Sequence, residues 1–444
     1  MPYTHVTFSA LKTQLANRLG DVSKIYWRDV ELGLYVKESL RTWQAFSAFW
    51  RVRATFNTAA GTEFYDLPAQ MSSVLGYNLK DQDIVKDLQY HLLENADTDP
   101  AGSSWVGTEM FVLADLTAAI ERRRNQFLAE TGIVVTRSTP NMPPPPVSRV
   151  PLADTTIDVR RVVWKRNDGT FSNCWRSDEW ELSAGALHWE VNPAVPYAYS
   201  ILATPPLTLQ VAPAPLDAAT LDLLTVDTPA ALDPTTGVLL NIPDNFAWVI
   251  KWGALADLLG KDGQARDPQR AAFCEQRYQL GVNLARQSAV IILCEIQGDT
   301  VLTEALEAID AERPGWQGSA TATPTDICIA GWNLIALRPV PDGIYSVTMD
   351  VAQNAPVPSA DVDQVQLGRE QLDAVLDYAE HLAAFKMGGA EFDATLRQAE
   401  NFMRQATTYN ERLAASALFS VPATGQSRLE EDWRIRRRKA TVPV

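Results

Sequence analysis

The residues best equipped for proton transfer or metal binding near neutral pH are four histidines, His5, His91, His188 and His381. None lies in an HxxxH, HExxH or HxD spacing, so a helical zinc site is not encoded. His188, beside Trp189 near an expected strand, and His381, on an expected helix, read as satisfied structural residues. No GxGxxG, GxxxxGK[ST] or GxSxG occurs, which argues against loop-bound nucleotides and a nucleophile elbow. Gly260-Lys261-Asp262-Gly263 reads as a helix-to-helix turn, and Gly388-Gly389 occupies the matching place later in the chain. The carboxylates Glu430-Glu431 and Asp361 with Asp363 could hold a cation, but no EF-hand spacing is present and they read as solvent-facing. A glycosidase needs two carboxylates at a set separation, which spacing along a chain does not supply. No cofactor and no catalysis are expected.

The sharpest local signal is cationic. Five of the six residues from Arg434 to Lys439 are basic, in a chain of formal net charge −15. Trp433, Arg434, Arg436, Arg437, Arg438 and Lys439 are therefore the expected partner-binding residues, forming an arm that meets an acidic partner or DNA. Arg122-Arg123-Arg124 is a weaker run and reads as an exposed helix face.

The acidic balance argues against wrapping nucleic acid as the main task, since phosphate contacts need clustered Lys and Arg. With 444 residues, 46% hydrophobic and 21% charged, the chain has the composition of a globular protein with room for roughly two to four domains. No stretch is apolar and long enough to span a bilayer, and Met1-Pro2-Tyr3-Thr4-His5 does not open a secretory signal. Cys174, Cys274, Cys294 and Cys328 lie far apart, which favours reduced thiols over a disulfide framework. Thirteen Trp are spread along the chain and are expected mostly as core or interface anchors.

These residues must be positioned by a mixed set of elements. Thr7 or Ser9 can cap a helix carrying Leu11, Leu15 and Leu19, ended by Gly20-Asp21. Asp29 can cap a second with Val30, Leu34, Val36, Leu40 and Trp43 on its inner stripe. Residues 49–56 alternate like a strand and are expected to pair with 62–67 across Ala59-Ala60-Gly61. Helices follow near 81–94 and 108–131. Residues 136–150, with Pro143 to Pro146, read as an extended linker. Strands are expected at 157–164 and 173–176 around an Asn167-Asp168-Gly169 turn, and again from Trp189 to Val211. Residues 212–240 read as a long excursion. Helices near 245–259 and 268–287 form a pair, Pro268 sitting in the first turn. An apolar run at 290–293 and a helix near 303–311 come before the next strands.

A module recurs. Trp189-Glu190-Val191, Val195 to Ile201, Val211-Ala212-Pro213 and the helix pair from Pro243 to Arg286 are answered by Trp332-Asn333-Leu334, Val340 to Val347, Val351-Ala352-Gln353 and a second helix pair. Across the pairs Phe246 matches Leu372, Val249 matches Val375, Ile250 matches Leu376, Trp252 matches Tyr378 and Asp267 matches Asp393. Repetition of this sort builds surfaces and contacts. The expected fold is α+β: a mostly helical region with a β-hairpin (1–135), a Pro-rich linker (136–150), two strand-plus-antiparallel-helix-pair modules (151–295 and 296–420) and a basic tail (421–444).

The opening Thr7-Phe8-Ser9-Ala10-Leu11 through Leu19-Gly20-Asp21, with Trp27-Arg28-Asp29-Val30-Glu31 and Leu40-Arg41-Thr42-Trp43, resembles head-to-tail adaptor (neck or connector) proteins of tailed bacteriophages. Ala60 to Pro68, Ile242 to Phe246, Gly253 to Leu259 and Arg270 to Tyr278 are similar to later parts of such proteins. The chain departs from the family in length and in its doubled module. The resemblance implies a structural virion protein of the phage neck or tail, assembled in the host cytoplasm. It implies a homo-oligomeric ring of roughly twelve or six copies, with portal and tail or nozzle proteins as partners. Packaged DNA would pass the channel without sequence-specific binding and without a membrane, and an acidic lining would repel its phosphates. The alternative that the Trp and Tyr content leaves open is a carbohydrate- or receptor-binding virion component.

Overall fold

The computed structural model describes residues 5–93, 110–142, 147–185, 188–203, 207–263, 265–288 and 290–410. The fold is α+β. One large core joins the helices to two four-stranded sheets, and a second core fills a seven-stranded sheet.

The helix Phe8–Arg18 is capped by Thr7, whose Oγ1 accepts from Ala10 N at 3.3 Å. The next helix, Asp29–Ser47, is N-capped by Arg28 rather than by Asp29, and Val36, Leu40 and Trp43 of its expected inner stripe are buried. Val30 is exposed, while Leu32, Tyr35, Val36, Leu40 and Trp43 are buried together with Glu31 and Glu38. Buried cations from distant helices pair with these two acids, as described below.

The hairpin expected across Ala59-Ala60-Gly61 does not close. Strand Arg51–Asn57 pairs antiparallel with Ser346–Ala352, and Phe64–Asp66 pairs with Leu334–Arg338. Each early strand thus completes a different sheet of the C-terminal half, in the orders 299–300, 291–296, 346–352, 51–57 and 302–305, 326–329, 334–338, 64–66. Long-range pairing wins because Phe56, Phe64 and Tyr65 become buried in the shared core.

The hairpin read around Asn167-Asp168-Gly169 is present. Thr156–Arg166 pairs with Phe171–Arg176, Gly169 adopts φ 82°, and Asp168 Oδ1 accepts from Thr170 N at 2.9 Å. Around it the sheet runs 136–138, 219–227, 156–166, 171–176, 198–202, 208–212, 149–151. Two expectations change here. The excursion 212–240 contains the strand Ala219–Asp227, which sits second from one edge. The segment read as a linker supplies both edges: Thr136–Ser138 pairs with Ala219–Asp227 and Arg149–Pro151 pairs with Thr208–Ala212. The prolines 143–146 lie outside the described residues.

Both helix pairs are present. Ala247–Gly260 packs on Pro268–Gln287, whose first turn is capped by Asp267 Oδ1 accepting from Arg270 N at 3.0 Å. Arg369–Met387 packs on Gly389–Thr408. Asp393 lies inside that last helix rather than at its cap. Ahead of each pair a Pro-rich turn recurs with the same backbone bonds. The peptides Ala212-Pro213 and Arg338-Pro339 are both cis. Tyr197 N donates to Ala212 O at 2.9 Å where Thr325 N donates to Arg338 O at 2.8 Å. Ala194 N donates to Ala214 O at 2.9 Å where Ala322 N donates to Val340 O at 3.0 Å. Pro215 and Pro341 make parallel bridges to Ala194 and Ala322. The geometric counterpart of Val340-Pro341 is therefore Ala214-Pro215, not Val195-Pro196 as the residue pattern suggested.

Candidate functional site

The densest set of ionisable groups lies inside the helical body. Lys251 is fully buried on Ala247–Gly260, in the otherwise apolar run Trp248-Val249-Ile250-Lys251-Trp252. Its Nζ pairs with Glu38 from Asp29–Ser47 and lies 3.2 Å from Asp87 Oδ2 on the helix Asp81–His91. Trp252 Nε1 donates to the other Glu38 oxygen at 3.1 Å, and His91 Nδ1 sits 3.4 Å from Asp87 Oδ1. Burial pushes the Asp87 carboxyl up, but Lys251 and His91 outweigh it and hold the group below the usual carboxylate range. A second pair repeats the device: Lys386 Nζ lies 3.1 Å from Glu31 Oε2, and Tyr35 Oη donates to Glu31 Oε1 at 2.6 Å.

Arg277 completes the cluster with no acid in salt-bridge contact among the described residues. Its guanidinium lies over the rings of Trp252 at 4.8 Å and Tyr378 at 5.1 Å. Burial lowers it to about 10. His381, also buried, is pushed well below its ordinary value by burial and then by Arg277, and its Nδ1 meets Thr395 Oγ1 at 2.9 Å. The structural reading of His381 fits this. These charges tie the helices 29–47, 81–91, 247–260, 268–287 and 369–387 to one another. No substrate reaches a fully buried ammonium, so the arrangement positions helices instead of offering a nucleophile.

A second network joins the seven-stranded sheet to the rest. Arg161 Nη2 donates to Asp310 Oδ1 at 2.8 Å and to Gln317 Oε1 at 3.1 Å, and Trp316 Nε1 donates to Asp310 Oδ1 at 2.9 Å. Gln317 Nε2 bridges Glu63 Oε2 and Asp222 Oδ2, both at 2.7 Å. Arg137 Nε donates to Asp222 Oδ1 at 2.7 Å and Nη2 to Glu63 Oε2 at 3.1 Å. Three parts of the chain, around 63, 137–222 and 310–317, thus share one polar seam.

The arginine run read as an exposed face is half buried. Arg122 is exposed and reaches Asp257 Oδ2 at 2.7 Å. Arg123 turns inward to Asp257 Oδ1 at 2.6 Å and Glu275 Oε2 at 2.8 Å, lying 4.9 Å over Tyr278. Arg124 is fully buried and donates Nη1 to Ala230 O at 3.1 Å.

All four cysteines are free and buried. Burial pushes the thiols of Cys174, Cys294 and Cys328 up to about 12 and that of Cys274 higher still, so none is a ready nucleophile. Among the described residues no three His, Cys, Asp or Glu side chains come together as a metal site would need. No helix among them is long and apolar enough to cross a membrane.

Two surface features remain. A cleft of ≈ 570 Å³ lies where the C-terminal ends of Leu113–Thr131 and Pro268–Gln287 meet the strand Leu302–Ala305, with Trp332 and Ile329 in its wall. Arg160 and Arg286, also lining it, donate to Ala129 O and Glu130 O and so cap the end of Leu113–Thr131. The other feature is the far end of the seven-stranded sheet, where Trp175, Trp180, Val191, Val195, Tyr197 and Leu216 are exposed. There His188, in a left-handed turn at φ 62°, and Trp189 line a cleft of ≈ 380 Å³ with Glu179 and Glu190. Most other tryptophans are buried as expected, among them Trp43, Trp164 and Trp252.

The expected partner-binding residues, Trp433, Arg434, Arg436, Arg437, Arg438 and Lys439, lie outside the described residues. The residue pattern missed the interior charges. Their signal was a lone Lys in an apolar run, and two Glu seven apart on the face that also carries Tyr35.

No curated protein matches the chain. Residues 82–292 match the family model of the SU10 adaptor protein. That span takes in the helix after Asp81, the whole seven-stranded sheet and the first helix pair, and begins after the N-terminal motifs quoted above. Over that span the chain is similar to the adaptor protein of a phage head-to-tail junction.

Proposed function

We propose that this chain is a structural subunit of a tailed-phage neck, assembled as a ring that joins the portal to tail or nozzle proteins and surrounds the DNA channel. The observation that carries the reading is the adaptor-family match over residues 82–292. Three features of the chain support it. Its buried charges are spent on holding helices in place, and its thiols are sealed. The formal net charge of −15 suits a conduit that must pass DNA without gripping it. The division into residues 1–135, 136–150, 151–295, 296–420 and 421–444, the ring of roughly twelve or six copies and assembly in the host cytoplasm belong to this proposal. Catalysis and a cofactor have no part in it.

Mass photometry of the purified protein, alone and with its cognate portal, tests the reading. A discrete ring, or a fixed complex with portal, is the expected result. A monomer that ignores portal overturns it.

A further inference from the structure

We propose that the exposed aromatic end of the seven-stranded sheet is the docking face for the chain's own basic C-terminal segment, Trp433 to Lys439. The face is assembled by backbone bonds that bring its apolar side chains to one end of the sheet. Trp175 N donates to Tyr197 O at 2.8 Å, and Tyr197 N donates to Ala212 O at 2.9 Å. The bridge between Ala194 and Pro215 sets Val195 and Leu216 on adjoining segments. Trp180 is 84% exposed and Trp175 58%. Exposed apolar side chains gathered in this way mark an interaction surface.

The chemistry of the occupant follows from what surrounds them. Asp178, Glu179, Glu181 and Glu190 are all exposed here. Glu179 and Glu190 line the same ≈ 380 Å³ cleft with Ser183, His188, Trp189 and Val191. Some of their oxygens are engaged: Asp178 Oδ1 accepts from Glu181 N at 2.7 Å, and Glu181 Oε2 accepts from Ser177 Oγ at 2.8 Å. Glu190 Oε1 accepts from Arg149 Nη2 at 3.2 Å and Gln210 Nε2 at 3.4 Å. Glu179 accepts no side-chain hydrogen bond from the described residues. An occupant must therefore be cationic and carry apolar side chains between its charges.

One segment of this chain meets both requirements: Trp433-Arg434-Ile435-Arg436-Arg437-Arg438-Lys439 sets Trp and Ile among five cations. The described chain ends at Asn410, which donates Nδ2 to Phe46 O at 3.3 Å in the helical body. The remaining residues can span at most about 75 Å before Trp433 at ~3.3 Å each. Arginine also stacks on indole faces, which suits a surface displaying Trp175 and Trp180. The proposal does not depend on ring formation.

Zero-length carbodiimide coupling of the full chain, read by mass spectrometry, tests it. Lys439 is expected to form isopeptides with Glu179, Glu181 or Glu190, their yield falling about tenfold in high salt. Glu179→Gln with Glu190→Gln, a pair that leaves fold and shape intact, is expected to cut the yield at those positions and leave unrelated couplings unchanged. Exchanging the charges on both sides, with Glu179→Lys and Glu190→Lys against Arg436→Glu and Arg437→Glu, is expected to restore proximity in a hydrogen-exchange measurement of residues 175–197. Coupling of Lys439 only to other carboxylates overturns the proposal. So does glycan binding at this face that is lost on Trp180→Ala while the tail leaves the face unprotected.

Discussion

Arg161 and Asp310 meet through two parallel hydrogen bonds, one on the longest strand of the seven-stranded sheet and the other on the helix Leu306–Glu312. Both side chains are largely buried, so neither charge can turn to water when its partner is removed. Asp310→Ala is expected to cost about 3–5 kcal/mol, and to speed amide exchange in Thr156–Arg166 more than in Pro268–Gln287. Uniform loss across both segments would show that the seam does not hold the sheet specifically. Urea unfolding with site-resolved hydrogen exchange distinguishes the two.

Lys251 offers a stricter case, because a cation in the helical body faces two acids. Lys251→Met removes the one cation that faces both Glu38 and Asp87, leaving Asp87 only His91, and is expected to destabilise by about 3–5 kcal/mol. Adding Glu38→Leu and Asp87→Leu to that variant is expected to recover much of the loss. Equilibrium denaturation of the single and triple variants reads the difference. A triple variant less stable than the single one would contradict a purely positional role.

The pH dependence follows from two depressed groups. His381 titrates well below its ordinary 6.5 in the folded chain because burial disfavours its charged form. The unfolded chain therefore takes up the proton first, and stability is full above pH 6.5 and falls as the pH drops below it. Asp87, held below 3.8 chiefly by Lys251 against its own burial, adds a further loss below about pH 4. His381→Phe is expected to flatten the slope between pH 6.5 and 5 measured by denaturant midpoints, leaving the steeper acid limb in place.

Helix packing in the first pair is tight at one glycine. A Cβ on Gly281 would lie 2.3 Å from Val249 Cγ2 on the facing helix. Gly281→Ala is expected to destabilise by about 1–3 kcal/mol, and Val249→Ala in the same chain to relieve part of it. Thermal melts of the two single variants and the double variant supply the cycle, and additive losses would argue against direct contact.

The four thiols should be inert while the chain is folded. With Cys174, Cys294 and Cys328 raised to about 12 by burial, a thiol reagent at pH 8 is expected to label none of them until denaturant is added. Stoichiometric labelling in native buffer would mean that these sites open.

Local signals carried the reading where the deciding partners are close in sequence. Asp267 and Pro268 marked the start of a helix, and Asn167-Asp168-Gly169 marked a hairpin, because a cap and a turn are settled within a few residues. The strand Ala219–Asp227 escaped notice because its partners, 136–138 and 156–166, come from far earlier in the chain. The pairing of Arg51–Asn57 with Ser346–Ala352 was hidden for the same reason. Arg123 read as solvated because Asp257 and Glu275, which draw it inward, lie more than a hundred residues later. The adaptor resemblance was legible in apolar motifs, while the interior charges that position those helices show only in a lysine where an aliphatic residue would be expected and in two glutamates seven apart on a buried face.

The seven-stranded sheet is entered and left at the same edge, since Thr136 and Thr225 face each other in adjoining strands. The chain from Thr136 to Thr225 thus leaves and rejoins the helical body at one edge, and the polar seam of Arg161, Asp222 and Gln317 is among the contacts that fasten the sheet there. A sheet tethered along one edge passes little strain to the helices beneath it, so a change of chain length in the turns at its outer end should leave the body's shape intact.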